Sequence, residues 1–315
     1  MSVTRRARIQ ALAKINLDLR VLHPRPDGYH EIRTVFQTIS LADTITIEFT
    51  RERRTTIQIE DSLQIPDNLA VKAARLAMDA MKVNGNVRLR LTKRIPMGAG
   101  LGGGSSDAAA VLLALPAVAG RRIELRRLME LAGALGSDVP FFLLGGAAAA
   151  LGRGTELYPL PDMPARLGLL VAPAVHVSTA AAYRALAPCL TTESQQNKIV
   201  SFQSRLWAGL SGGTEASGVN DFEAVVFEQF PQLASLKKRL VKVGANPAMM
   251  TGSGSALFGL FETREQVRRA MELLRGERVF PISLVSRARY RNLWWRQLRP
   301  HIDDKLWPPP SRYAQ

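Results

Sequence analysis

Between residues 96 and 106 the chain reads Pro-Met-Gly-Ala-Gly-Leu-Gly-Gly-Gly-Ser-Ser, a run with very little side-chain bulk. Such a run lets backbone N–H groups approach an anion with no Cβ in the way. It follows the alternating stretch Val87–Ile95 and precedes the alanine- and leucine-rich stretch Asp107–Leu115. Strand, glycine loop and helix, in that order, build a phosphate cradle, because the helix N-terminus adds about half a positive charge to its free amides. Ser105 and Ser106 stand where a hydroxyl either caps the helix or reaches a metal ion.

Other glycine loops fit less well. Gly98-Ala-Gly-Leu-Gly-Gly103 has the form G-x-G-x-x-G, yet the strand before it alternates, whereas a central parallel strand is apolar throughout. A Walker loop needs lysine after its last glycine, where this chain has Gly104. A protein-kinase loop needs H-R-D and D-F-G downstream, and neither occurs. Flexible linkers do not usually join a strand to an alanine-rich helix. A phosphate site is the expectation.

The surrounding elements must hold that loop. Ile9–Val21 alternates, with Ile9, Ala11, Ala13, Ile15, Leu17, Leu19 and Val21 on the core parity and Lys14, Asn16, Asp18 and Arg20 on a polar face. His23–His30 reads as a loop around Asp27-Gly28. Thr34–Ser40, Thr44–Phe49 and Thr55–Ile59 predict strands, and Asn68–Met81 and Glu124–Leu135 predict helices. Asp138 before Val139-Pro140 opens a short helix, and Gly145–Gly152 predicts a strand. Further on, Leu167–Val171 and Ala174–Val177 predict strands, Thr179–Leu186, Leu233–Val243 and Arg264–Leu274 helices, and Ala248–Phe261 a strand or hairpin. Thr191–Gly218 has the weakest periodicity, and the chain beyond Arg287 shows no clear period and reads as a tail packed on the surface.

A length of 315 residues suits two domains, and Pro159, Pro161 and Pro164 mark a linker near residue 162. An apolar share of 46% and a charged share of 22% exclude disorder as a description of the whole. Neither uncharged run, Val139–Gly152 or Leu167–Tyr183, reads as a membrane span. The basic N-terminus leads into no apolar signal core, and the single cysteine, Cys189, builds neither a disulfide framework nor a zinc site. A cytoplasmic protein is expected. The net charge of +15 speaks to anionic partners, phosphorylated small molecules or nucleic acid, and its arginines are dispersed rather than gathered in one arm.

The segment Pro96 to Ala109 resembles the phosphate-binding motif of the GHMP kinase superfamily, the galactose, homoserine, mevalonate and phosphomevalonate kinases. Ala13-Lys-Ile-Asn-Leu17, Asp27-Gly-Tyr-His-Glu31 and Gly136-Ser-Asp-Val-Pro-Phe141 are similar to the branch that phosphorylates a cytidyl diphosphate sugar alcohol in the non-mevalonate route to isoprenoid precursors. Thr251-Gly-Ser-Gly-Ser-Ala-Leu-Phe258 resembles the superfamily's C-terminal glycine motif. Ala99, where many relatives have glycine, is a minor departure, and the segment after about Arg287 lies outside the resemblance.

The resemblance implies an α+β, two-domain GHMP kinase fold with a ribosomal-protein-S5-domain-2-like N-terminal domain and a ferredoxin-like C-terminal domain. On this sequence the ATP-binding domain spans 1–162, the second domain 163–287 and a basic tail 288–315. It implies ATP as phosphoryl donor with Mg²⁺, and transfer to the 2-hydroxyl of a diphosphocytidyl methylerythritol. Asp138 is then the base that takes the hydroxyl proton, beside its other reading as a helix N-cap. Lys14 holds Asp138 ionised and stabilises the forming alkoxide, beside its reading as a solvated strand lysine. Pro96, Met97, Gly98, Ala99, Gly100, Leu101, Gly102, Gly103, Gly104, Ser105 and Ser106 hold the ATP phosphates. Asn16 meets a substrate hydroxyl, Tyr29, His30 and Tyr183 the cytidine, and Thr179 the substrate diphosphate. Lys93 and Asn68 resemble residues near the adenine, or are a surface charge and a helix cap. His23, His301 and Cys189 receive no role.

The expected partners are these two small molecules, with no nucleic acid and no membrane. The alternatives are a GHMP kinase for another alcohol, or a nucleic-acid-binding protein using the arginines after 287 with Trp294 and Trp295. Asp27-Gly-Tyr-His30 speaks against the first, whose substrates present no cytosine.

Overall fold

The computed structural model describes residues 3–210 and 218–314. Its first strand, β1 (Arg5–Pro24), runs antiparallel to β2 (His30–Arg51) across the turn at Asp27-Gly28. The runs expected as two strands over 34–49 are one strand, β2, long enough to take two partners on its other edge. β4 (Gly85–Thr92) lies beside its C-terminal half and β5 (Ala147–Gly152) beside its N-terminal half. β3 (Thr56–Asp61) and β6 (Glu156–Pro159) complete a six-stranded sheet.

Helices α1 (Leu69–Met81), α2 (Gly103–Ala119), α3 (Leu125–Leu135) and α4 (Val139–Leu144) pack on this sheet and share a core with Ile9, Ile45, Ile47, Val87 and Leu89. α2 is buried almost all round, which is why its sequence is alanine and leucine with no polar stripe.

The second unit is built on four antiparallel strands in the order β10-β7-β9-β8: β7 (Leu167–Val171), β8 (Ala248–Met250), β9 (Leu257–Phe261) and β10 (Val279–Ser283). α5 (Thr179–Leu186), α7 (Phe222–Gln229), α8 (Pro231–Lys242) and α9 (Arg264–Leu273) share a core with Leu169, Val171, Leu257 and Phe261. Leu170, Met249, Phe258, Leu260 and Ile282, of opposite or alternate register, pack instead with Ala13, Ile15, Ala99 and Leu101 of the first unit. Period-two alternation thus gives the second sheet one face for its own helices and one for the glycine loop.

Three further expectations change. Ala174–Val177 is irregular rather than a strand. The weakly periodic stretch after 191 forms α6 (Thr192–Leu210), and residues 211–217 lie outside the described residues. α6 meets β1 through polar groups: Arg20 donates to the Lys198 carbonyl and Lys198 to the Val21 carbonyl, and Arg205 pairs with Asp18. An apolar stripe is not what holds it, so apolar spacing did not reveal it. The expected basic tail over 288–315 contains α10 (Arg287–Leu298), whose Tyr290, Trp294 and Leu298 enter the first unit's core, followed by Ile302. Their spacing of four is a helical stripe hidden among arginines. No helix among the described residues is long and apolar enough to cross a membrane.

Candidate active site

The polar parity of β1 does not face water. Lys14, Asn16, Asp18 and Arg20 are 3%, 2%, 4% and 4% exposed, because the turn before α4, the loop after β8 and α6 close over them. Register shifts between Leu12 and Lys14 and between Asn16 and Asp18 bracket the first two, and such irregularities twist a strand and re-aim its side chains.

Lys14 Nζ lies 3.6 Å from Asp138 Oδ2, donates to Asn16 Oδ1 at 2.8 Å and stands 5.0 Å above the centre of the Phe36 ring. Burial lowers the Lys14 ammonium from its usual value, and the Asp138 carboxylate offsets part of that. Asp138 is at the N-cap position of α4, yet its side chain makes no capping bond. The carboxylate therefore points at Lys14, one third exposed.

Asn16 is engaged inside the protein. Its Oδ1 accepts from Lys14 Nζ, from Gly252 N at 2.9 Å and from Thr251 Oγ1 at 3.1 Å, and its Nδ2 donates to Thr34 Oγ1 at 2.8 Å. It ties the lysine to the second glycine motif.

The first glycine motif meets the second directly. Gly100 has φ +77°, and a Cβ there would stand 2.2 Å from the Thr251 carbonyl oxygen, so only glycine fits. Thr251 Oγ1 also lies 3.3 Å from the Gly100 carbonyl, and Lys14 N donates to the Leu101 carbonyl at 3.1 Å. Ala99 and Leu101 are buried between the two units, while Met97 is exposed. The side chains of the loop thus anchor it and leave its backbone to face the cleft.

α2 begins at Gly103 with Gly102 as N-cap, four residues earlier than expected. Its serines do not cap it. Ser106 N donates to the Gly102 carbonyl at 2.8 Å, and Ser106 Oγ donates to the Leu12 carbonyl at 2.7 Å. The amides of residues 103–105 precede that first helical bond and remain for a ligand, with the helix dipole behind them. Ser106 is buried and engaged, which leaves Ser105 as the loop hydroxyl able to reach outward.

Lys93 is neither loose nor on the surface. Its ammonium sits between Asp43 and Asp107, 2.8 Å from Asp107 Oδ2. Asp43 also accepts from the amides of Arg94, at 2.5 Å, and Ile95, at 2.9 Å, locking the end of β4 to the base of α2. Burial pushes the Asp107 carboxyl up to about 7 against the pull of Lys93, with Asp43 adding to the rise, and its Oδ1 has no partner. Asn68 caps α1 by accepting from Ala70 N at 2.9 Å.

On the other side of Asp138 lies an aromatic stack. His30 stacks on Tyr183 with ring centres 4.5 Å apart, and Tyr183 meets Phe222 edge-on at 4.8 Å. Burial, helped by the Asp138 charge, pushes the Tyr183 hydroxyl up to about 12. Burial and nearby His23 lower His30 from its usual value. Tyr29 is 51% exposed with the Arg153 guanidinium 5.3 Å from its ring centre. Thr179 Oγ1 lies 2.8 Å from Ser253 Oγ in the second glycine motif.

Sequence reasoning missed four residues. Thr251 was visible in its motif, whereas Asp43, Phe36 and His176, whose ring faces Gly98, carry no local signal. Among the described residues no group of three or more His, Cys, Asp or Glu side chains is placed to hold a metal ion.

The meeting of the two glycine motifs is also where two known domains meet. Residues 68–146 match the GHMP kinases N terminal domain and residues 199–275 the GHMP kinases C terminal domain, so the fold is that of the GHMP kinases. The 4-diphosphocytidyl-2-C-methyl-D-erythritol kinase of Solibacter usitatus is 62% identical over 99% of both chains. That of Thermus thermophilus is 42% identical over 84% of this chain and 92% of its own. A crystal structure titled 4-(cytidine 5'-diphospho)-2C-methyl-D-erythritol kinase matches with a TM-score of 0.74 at 39% identity, covering 88% of this chain and 98% of the other. A homoserine kinase from Cytophaga hutchinsonii, at 17% identity and a TM-score of 0.71 over 90% of this chain and 96% of its own, shares the fold. The chain belongs to the 4-diphosphocytidyl-2-C-methyl-D-erythritol kinase family.

Proposed function

We propose that the protein transfers the terminal phosphoryl group of ATP to the 2-hydroxyl of 4-diphosphocytidyl-2-C-methyl-D-erythritol. The observation that carries the chemistry is Lys14 Nζ at 3.6 Å from Asp138 Oδ2, beside the free amides that open α2. Phosphoryl transfer asks the protein mainly for positioning and charge stabilisation. The loop amides and the helix dipole hold the triphosphate. Asp138 accepts the proton of the attacking hydroxyl, and Lys14 stabilises the oxygen as it gains charge.

Mg²⁺ neutralises phosphate charge when bound. The ion would be held mostly by phosphate oxygens and water, with Ser105 as the nearby hydroxyl at the start of α2. Asn16 acts by fixing Lys14 rather than by offering free donors. His30, Tyr183 and Tyr29 receive the cytidine, and Thr179 with Ser253 the diphosphate.

A coupled ADP-release assay with Mg-ATP and a panel of alcohols tests the reading. Turnover should require the cytidyl substrate, and equal rates with homoserine or mevalonate would overturn it.

A further inference from the structure

We propose that the segment from Val285 to Ala314 is a clamp that holds α4, and with it Asp138, in register with Lys14. It rests on the reading of Asp138 as the base. The C-terminal family match stops at residue 275, so the clamp lies beyond the shared domains.

α4 is six residues long, and a helix that short is not stable by itself. Its last carbonyls have no partner within the helix. The clamp supplies two: Tyr290 Oη donates to the Phe142 carbonyl at 2.5 Å, and Trp307 Nε1 donates to the Leu143 carbonyl at 3.0 Å. Gly145, at φ +66°, lets the Tyr290 ring lie against the backbone, since a Cβ there would stand 2.3 Å from Tyr290 Cδ1.

What α4 then presents is the catalytic wall. Asp138 precedes it. The Phe141 ring packs 5.1 Å from that of Phe36, over which the Lys14 ammonium sits. Phe142 lies under the glycine loop, where a Cβ on Gly102 would come within 2.8 Å of its ring. A shift of α4 therefore moves the acid and disturbs the seats of both the lysine and the loop.

The clamp is fixed at both ends to the body that carries Lys14. Gln37 Nε2 donates to the Val285 carbonyl at 2.9 Å, and Val285 N donates to the Thr38 carbonyl at 2.9 Å. At the far end His301 Nε2 donates to the Arg6 carbonyl at 2.8 Å, and Ser311 Oγ to the Ala117 carbonyl at 2.7 Å. Tyr290 and Trp307 are positioning residues. Arg287 donates to the Leu160 and Ala147 carbonyls, and the Arg291 guanidinium lies 5.2 Å from the centre of the Trp307 ring, while Arg289, Arg296 and Arg299 are exposed.

Tyr290→Phe and Trp307→Phe each delete one bond to α4 and keep an aromatic ring. Combined, they should lower kcat about tenfold, with KM for both substrates within about twofold, because small displacements of a reacting group are felt in the chemical step. In the Asp138→Asn background the same pair should cause a clearly smaller loss, since the acid they position is gone and only the seats of the lysine and the loop remain to be disturbed. An unchanged kcat, or the same fold-loss in both backgrounds, overturns the clamp. Hydrogen exchange at residues 139–145 gives a separate reading: faster exchange there, relative to α2, is expected, and unchanged exchange counts against the proposal. Should Asp138→Asn retain its turnover, the base assignment falls by itself, and the exchange result decides whether the clamp holds α4.

Discussion

Lys14 Nζ and Asp138 Oδ2 stand 3.6 Å apart, longer than the roughly 2.7–2.9 Å of a tight charge-assisted hydrogen bond. The lysine's near partner is Asn16, at 2.8 Å. Asp138 keeps lone pairs directed at the cleft, while the lysine's place is set by an amide that also holds Gly252. Charge and position at this centre are supplied by different residues.

Replacing Asp138 with asparagine should lower kcat at least about a hundredfold and leave KM for ATP within about twofold. Near-normal turnover would end the general-base role. The same variant carries a second readout. Asp138 raises the Lys14 ammonium against the larger lowering by burial, so removing the carboxylate lets it fall further. NMR of labelled lysine side chains should find Lys14 titrating at lower pH in the variant than in the wild type.

Two glycines separate scaffold from ligand contact. Gly100→Ala forces a Cβ into the Thr251 carbonyl at positive φ and should cost about 2–4 kcal/mol of stability, read from denaturant midpoints. Gly104→Ala meets nothing nearer than Leu69 Cδ1 at 3.8 Å, inside a helix that favours alanine. Its stability should hold or rise while KM for ATP climbs about tenfold. An unaltered KM would mean that no phosphate approaches residue 104.

Tyr183→Ala removes the ring on which His30 stacks. KM for the cytidyl substrate should rise about tenfold and KM for ATP stay within about twofold. Equal effects on both would make the tyrosine a packing residue.

Asp107 gives a pH test of the buried Lys93 cluster. Its folded carboxyl titrates at about 7 against an unperturbed 3.8, so between those values the folded state binds the extra proton. Stability contributed by this group therefore falls as pH rises from about 4 to about 7. Asp107→Asn abolishes that fall. The difference in urea midpoint, wild type minus variant, should decrease steadily over this range, and a flat difference would refute the buried proton.

Much of this was legible in order along the chain. Alternation from Ile9 to Val21, the glycine run and the Asp138 turn each depend on neighbours in sequence. The strand and the turn appear where they were expected, and the loop does so up to Gly102, where α2 begins early. α10 was legible in principle, for Tyr290, Trp294 and Leu298 recur at intervals of four, but the arginines between them masked the stripe.

What sequence determined by itself is the set of local shapes: a strand with a polar parity, a loop of small residues, a helix without a polar face. What it could not determine is which surfaces those shapes would meet. Asn16 looks like a free amide until Thr251 arrives from 235 residues away, and Ser106 looks like a cap until the Leu12 carbonyl takes its hydroxyl. Lys93 looks solvated until Asp43 and Asp107 enclose it. Covalent neighbours fix backbone preference and side-chain parity, whereas burial and the identity of a polar partner are set only when distant segments pack and exclude water.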